Sequence, residues 1–260
     1  MSNIRQAFQN GKAFIPFITC GDPDLESTKR NVRAAVAAGA DLVELGIPFS
    51  DPTAEGPVIQ AANLRALSGG VTTDAVFQMV AELREELTTP LVFMTYANVV
   101  FSYGIARFAA RAAEVCIDGI ILPDVPFEEK EEFAPAFRAV GIDFISMIAP
   151  TSMARIREIA AAAEGFLYVV SSLGVTGVRQ EINTDLSGML ASVRQANPSL
   201  PAAIGFGIST PAQAKRMATV ADGVIVGSAI VRIMAEKGRE ADEEIARYVR
   251  EMKTAANTFQ

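Results

Sequence analysis

Eight short apolar runs recur along the chain with room for a helix between most of them. They are AFIPFIT from Ala13, DLVELGI from Asp41, PLVFMTYA from Pro90, DGIILP from Asp118, DFISMIA from Asp143, FLYVVSS from Phe166, AAIGFGI from Ala202 and DGVIVGS from Asp222. Each is nearly continuous in hydrophobicity instead of alternating, the pattern of parallel strands covered on both faces. Between them the period becomes helical. Val76, Phe77, Val80, Leu83 and Leu87 share one face while Glu82, Arg84 and Glu85 fall largely elsewhere, and Ile156 with Ile159, then Ile245, Val249 and Met252, repeat the spacing. Strand alternating with helix eight times predicts an α/β fold of the (β/α)8 TIM-barrel type. A doubly wound open sheet is the alternative, but GDPD after the first run is not the G-x-G-x-x-G that such a sheet normally carries there.

With no Ser/Gly-rich linker and no abrupt shift in composition, residues 1–260 read as one domain. The polar start MSNIRQAFQN is expected to form a short extra helix against the barrel floor, and a second short extra helix is expected after strand eight. Half of the residues are hydrophobic and a fifth are charged, enough to bury a substantial core. Neither a secretory signal nor an apolar run long enough to span a membrane is evident, so a cytoplasmic protein is expected. The net charge of −7, with scattered basic residues, argues against nucleic acid as a partner. Cys20 and Cys116 lie far apart outside any C-x-x-C pair, and buried free thiols are expected.

The chain has no histidine. An imidazole base, a zinc-ligating His and a His-centred triad are therefore excluded, and proton transfer falls to carboxyl or phenol groups. The acids show no close oxygen-ligand spacing, so no metal site is expected. No lysine stands at a strand end to form a Schiff base.

In such barrels the loops following the strands carry the chemistry. After strands seven and eight these loops hold Gly205, Gly207, Gly227 and Ser228, and after strand six Gly174, Thr176 and Gly177. Glycine permits close approach of backbone N–H groups to an anion, and Ser228 is expected near the start of a short helix whose dipole favours negative charge. Any one of these glycines is explained by a tight turn, but their convergence on adjacent strands points to phosphate.

Glu44 interrupts the apolar run Val43-Glu44-Leu45-Gly46-Ile47. A buried carboxyl without a basic partner resists ionisation, and no basic residue lies on a predicted strand to pair with it, so it suits proton transfer near neutral pH. Asp51 and Glu55 lie in FSDPTAEGP, a loop able to close over a substrate, although loop acids are often simply solvated. Tyr168 and Tyr96 either offer phenol hydroxyls or fill the core. Asp22 and Asp124, at the ends of strands one and four, either act in the site or cap the following helix.

ELGIPFSDPTAEGP, YANVVFSYG, LPDVP, YVVSSLGVTG, GFGIS and GSAIV, in that order, resemble the tryptophan synthase α subunit family over essentially the whole chain. The resemblance implies retro-aldol cleavage of indole-3-glycerol phosphate to indole and glyceraldehyde 3-phosphate, without a cofactor in this chain. Indole then passes to a pyridoxal-phosphate β subunit, in an expected α2β2 assembly. Glu44 is implied as the principal acid/base, and Glu55 stands where the family carries an Asp that stabilises charge at the indole nitrogen. Tyr168 matches a tyrosine near the substrate, Gly177, Gly207, Gly227 and Ser228 the phosphate-binding positions, and Thr176 a loop-closing threonine. Pro48, Asp51 and Asn98 match positions at the β-subunit interface. Ser172-Leu173 departs from the Arg-Ala pair common before GVTG. Competing readings are a weakened catalyst that serves to activate the β subunit, a stand-alone lyase releasing indole, and a sugar-phosphate isomerase, the last leaving ELGIPFSDP unexplained.

Overall fold

The computed structural model describes residues 3–171 and 185–258. Its strands are β1 (Ala13–Thr19), β2 (Val43–Gly46), β3 (Leu91–Met94), β4 (Gly119–Ile121), β5 (Asp143–Phe144), β6 (Met147–Ile148), β7 (Leu167–Val170), β8 (Ala202–Gly205) and β9 (Gly223–Val226). All pairings among them are parallel, in the order β5-β4-β3-β2-β1-β9-β8-β7-β6. Every predicted run supplies a strand. The fifth run differs in supplying two, because its first half pairs with β4 and its second with β7. Ile145 N donates to the Ile120 carbonyl at 2.9 Å, and Tyr168 N donates to the Ser146 carbonyl at 3.0 Å. The chain itself therefore joins the two ends of the sheet, and the stagger that barrel closure demands is taken up between Ile145 and Ser146.

The helices are α1 (Leu25–Ala37), α2 (Pro57–Ser68), α3 (Thr73–Arg84), α4 (Ala97–Tyr103), α5 (Ile105–Glu114), α6 (Ala134–Ala139), α7 (Met153–Ala161), α8 (Leu186–Ala196), α9 (Pro211–Ala218), α10 (Ser228–Lys237) and α11 (Asp242–Ala256). Their starts follow local chemistry. Asp24, Thr72, Ser152 and Asp185 cap α1, α3, α7 and α8 through their side chains, and Thr210 with Gln213 forms a reciprocal capping box on α9. The buried stripe Val76, Phe77, Val80 and Leu83 on α3, like Ile245, Val249 and Met252 on α11, is the face read from periodicity. The short helix expected after strand eight is α10. The short helix expected at the N-terminus is a five-residue 3₁₀ helix, Ile4–Phe8.

Alternation along each strand builds two apolar layers. Phe14, Ile18, Val43, Leu45 and Phe93 face the helices, whereas Ile15, Phe17, Val92, Met94, Ile121 and Tyr168 fill the barrel interior. Ile4 and Ala7 belong to the interior set, Asn3 N donates to Asp118 Oδ1 at 3.0 Å, and Phe8 packs 5.8 Å from Phe166. The N-terminal turn thus plugs the floor, leaving the opposite mouth for the site. Cys20 is buried and burial pushes its thiol pKa upward, but Cys116 is exposed, contrary to the expectation for it. Cys116 lies in a turn with φ of 56°, stepping out of the apolar sequence around it. Both thiols are free.

Candidate active site

Val43 and Leu45 point toward the helices and Leu42 points inward, so the two-residue period turns Glu44 into the barrel. There it is fully buried, and among the described residues neither carboxyl oxygen has a hydrogen-bond partner. Desolvation raises its pKa to about 8, which keeps it protonated at neutral pH. Tyr168 enters the same space from β7, buried, with its pKa raised first by burial and then by the Glu44 charge.

Glu55 reaches this space from the loop between β2 and α2. Far from being solvated, it is buried, and Asn63 Nδ2 donates to its Oε2 at 2.6 Å. Burial raises its pKa to about 7, against the opposing influence of hydrogen bonds from Asn63 and Tyr96. The Tyr96 hydroxyl also accepts from Ala54 N at 3.2 Å, and its ring stacks on Phe49 at 5.2 Å, fastening the loop from two sides. Glu44, Glu55 and Tyr168 line one cavity, with Phe17, Met94 and Phe206 among its walls. Gly207, Gly227 and Ser228 line it too, and Ser228 is the first residue of α10. The positive end of the α10 helix dipole and two carboxyl groups therefore line the same cavity.

Two glycines in this region answer to side chains. A Cβ on Gly46 would lie 2.5 Å from the Phe17 ring, and one on Gly205 would lie 2.4 Å from the Tyr168 hydroxyl. The motifs around them leave space for the aromatic wall of the cavity. Phe206 adopts φ of 72°, and its carbonyl accepts from Ser171 Oγ at 2.6 Å, which holds the turn that delivers Gly207.

Other predicted residues separate by role. Asp22 does not cap a helix: it receives two 2.7 Å hydrogen bonds from Arg65 on α2. Asp124 caps α4 instead of the helix that follows it, accepting from Ala97 N at 3.0 Å. Asp51 and Asn98 are exposed, whereas Pro48 is buried within this chain. Gly174, Thr176 and Gly177, with Ser172 and Leu173, lie outside the described residues. Asn63 escaped the sequence reading. Its signal was a lone amide on the buried face of α2 formed with Ile59, Ala62 and Ala66. Among the described residues no group of His, Cys, Asp and Glu is arranged to hold a metal ion.

The tryptophan synthase alpha chain family matches residues 2–259. The chain belongs to this family. A tryptophan synthase alpha chain from Lactiplantibacillus plantarum is 51% identical over 256 residues, spanning 98% of this chain and 96% of the relative. Among solved structures, tryptophan synthase subunit alpha from Legionella pneumophila str. Paris superposes with a TM-score of 0.87 at 35% identity, over 100% of both chains. The tryptophan synthase a2b2 complex from Pyrococcus furiosus gives a TM-score of 0.83 at 36% identity, over 94% of this chain and 99% of that one. No helix among the described residues is long and apolar enough to cross a membrane.

Proposed function

We propose that this chain cleaves indole-3-glycerol phosphate to indole and glyceraldehyde 3-phosphate, with Glu44 moving both protons. The observation that carries this reading is the buried Glu44 carboxyl, unpartnered among the described residues, in the same cavity as Glu55, Gly207, Gly227 and Ser228. Protonated at rest, Glu44 delivers its proton to the indole carbon that bears the glycerol chain. Positive charge then develops at the ring nitrogen, where an ionised Glu55 accepts a hydrogen bond from the N–H. The Glu44 carboxylate next removes the proton of the hydroxyl beside the ring. As that oxygen becomes an aldehyde, the carbon–carbon bond breaks and its electrons return to the ring. Indole is released with the first proton on carbon, and Glu44 has regained one from the hydroxyl. A single carboxyl thus serves as acid and then as base, a role suited to its raised pKa of about 8.

Gly177, Gly207, Gly227, Ser228 and the start of α10 hold the phosphate in this reading, and Thr176 serves loop closure. Tyr168 fixes the position of the substrate beside Glu44. The extra methylene of Glu55, relative to the family Asp, is accommodated by its anchorage on Asn63 and Tyr96. Each chemical step uses a carboxyl group of this chain and needs no cofactor here, and pyridoxal phosphate belongs to the β subunit. Partnership with that subunit, in an α2β2 assembly, is supported by the likeness to the Pyrococcus furiosus a2b2 complex. Asp51 and Asn98 are assigned to that contact. Pro48, being buried, shapes the loop from within. A cytoplasmic location accords with a biosynthetic step. Indole release by the purified chain, alone and with β subunit, tests the reading, and an undiminished rate in Glu44→Gln overturns it.

A further inference from the structure

A second cavity, sharing no lining residue with the catalytic one, lies over the interruption in the fifth barrel strand between β5 and β6. Leu122, Val125, Phe127, Phe144, Ile148 and Ile159 give it an apolar lining, and Lys130 adds a cation. Nothing in the lyase reaction uses this space.

Lys130 is the unusual element. It lies in a 3₁₀ segment, Phe127–Glu132, and is buried. Its ammonium stands 4.3 Å from the centre of the Phe127 ring and donates one long hydrogen bond, 3.4 Å, to the Ala162 carbonyl. An ammonium has three protons to place, so its capacity is largely unspent. Neighbouring carboxylates are committed elsewhere: Glu128 to Arg155, and Glu131 and Glu164 to Arg138. Among the described residues Lys130 forms no ion pair. Burial lowers its pKa, as does the Arg138 charge, while Glu131 and Glu164 act in the opposite sense. A cation kept among apolar side chains without a counter-ion is costly unless an anion joins it.

We propose that this cavity is a binding site for a small monocarboxylate with an apolar aromatic or branched body, held by an ion pair to Lys130. One ammonium matches one negative charge, and the aliphatic and aromatic walls match the body. The other cation at the mouth, Arg155, already pairs with Glu128, so a phosphate dianion would find no second free partner. Because the cavity covers the seam that closes the barrel, an occupant also braces β5 and β6 against α7.

The test uses 4-phenylbutyrate and its neutral counterpart 4-phenylbutanamide, titrated calorimetrically into the intact chain in the presence of saturating indole and glycerol 3-phosphate. On the proposed function those two compounds fill the catalytic cavity; the acid-to-amide comparison is repeated without them, so that its outcome is read apart from that reading. Expected are one acid bound per chain, at least tenfold preference for acid over amide, and retention of that preference in Lys130→Arg. In Lys130→Met the preference disappears while indole release stays at the wild-type rate. Equal binding of acid and amide, displacement of the acid by the indole and glycerol 3-phosphate pair, or no binding at millimolar concentration overturns the proposal. The acid-to-amide comparison on the unaltered chain keeps it falsifiable even if Lys130→Met fails to fold.

Discussion

Asn63 Nδ2 lies 2.6 Å from Glu55 Oε2, a buried amide from the second turn of α2 donating to a buried acid in the preceding loop. The bond favours the charged form of Glu55, in opposition to desolvation, and it fixes where that charge sits. Arg65 on the same helix grips Asp22 with two hydrogen bonds, so the amide is carried by a helix tied to the loop after β1.

Replacing Asn63 by Leu removes the donor and leaves a side chain of comparable size. Glu55 should then ionise at higher pH, moving the acidic limb of the kcat/KM profile upward, with a fall of about tenfold at neutral pH for one lost charge-assisted bond. Steady-state rates of indole release across pH measure both effects. A loss of activity with an unmoved acidic limb would leave Asn63 a merely structural role.

The two carboxyl groups also set a pH window. Glu55 acts when ionised and titrates at about 7, while Glu44 acts when protonated and titrates at about 8. Below the first value the charge stabiliser is lost, and above the second the acid is lost, so kcat/KM should form a narrow bell with its maximum between them. Glu55→Gln should abolish the acidic limb and preserve the alkaline one. A flat profile from pH 6 to 9 would contradict the assignment of these groups.

Glu44→Gln separates activity from stability. The acid is protonated in the folded chain up to about pH 8 but ionises in the unfolded chain from about pH 4.5, so between these values unfolding releases a proton. Stability attributable to Glu44 is therefore complete at low pH and declines as pH rises through this interval. Neutral Gln escapes the penalty, and at pH 7 the gain should approach roughly 3 kcal/mol, at about 1.4 kcal/mol per pH unit. The same variant should lose about 100-fold or more in kcat. Thermal melts at pH 5 and pH 8, with assays at pH 7.5, check the pair. A variant equally stabilised at both pH values would show that Glu44 does not titrate as described.

The barrel was legible because parallel strands covered on both faces must be continuously apolar, and Glu44 stood out against that background. The division into β5 and β6 was not legible, since it arises from the stagger of closure and not from any break in DFISMIA. Glu55 resembled an ordinary loop acid. Only the return of α2 across the loop buries it against Asn63, and only the fold brings Tyr96 to the same carboxyl. For Asp22 and Asp124 sequence offered a place in the site or a cap on the next helix, because it displays neighbours, whereas their partners Arg65 and Ala97 are supplied by other parts of the chain. Cys116 misled for a related reason: an apolar sequence surrounds it, but a turn with positive φ carries it outward.

Gly205 should tolerate no side chain. A Cβ there would meet the Tyr168 hydroxyl at 2.4 Å and ring carbons at 2.7 Å, with β7 and β8 paired through Val170 and Gly205. Gly205→Ala must push Tyr168 into the catalytic cavity or separate the strands, at a cost of about 1–3 kcal/mol for overpacking. The change should raise KM for indole-3-glycerol phosphate more than Tyr168→Phe does, since the phenylalanine keeps the ring in place. A Gly205→Ala chain with wild-type melting temperature and KM would show that Tyr168 has another position available.

Phe101 is the most exposed large apolar residue described, with 69% of its surface accessible on α4, three residues from Asn98. An aromatic side chain in water gains from burial against a partner, and anchors of this kind supply a large share of interface energy. In the Phe101→Ala chain, affinity for β subunit should fall about 10- to 30-fold, corresponding to roughly 1.5–2 kcal/mol. Indole release by the chain alone should be unchanged, because Phe101 is not part of the catalytic cavity, and activation by added β subunit should require proportionally more partner. Titrating β subunit against indole release for both chains separates affinity from turnover. An unaltered titration curve would remove α4 from the docking surface and leave Asp51 as the exposed residue assigned to it.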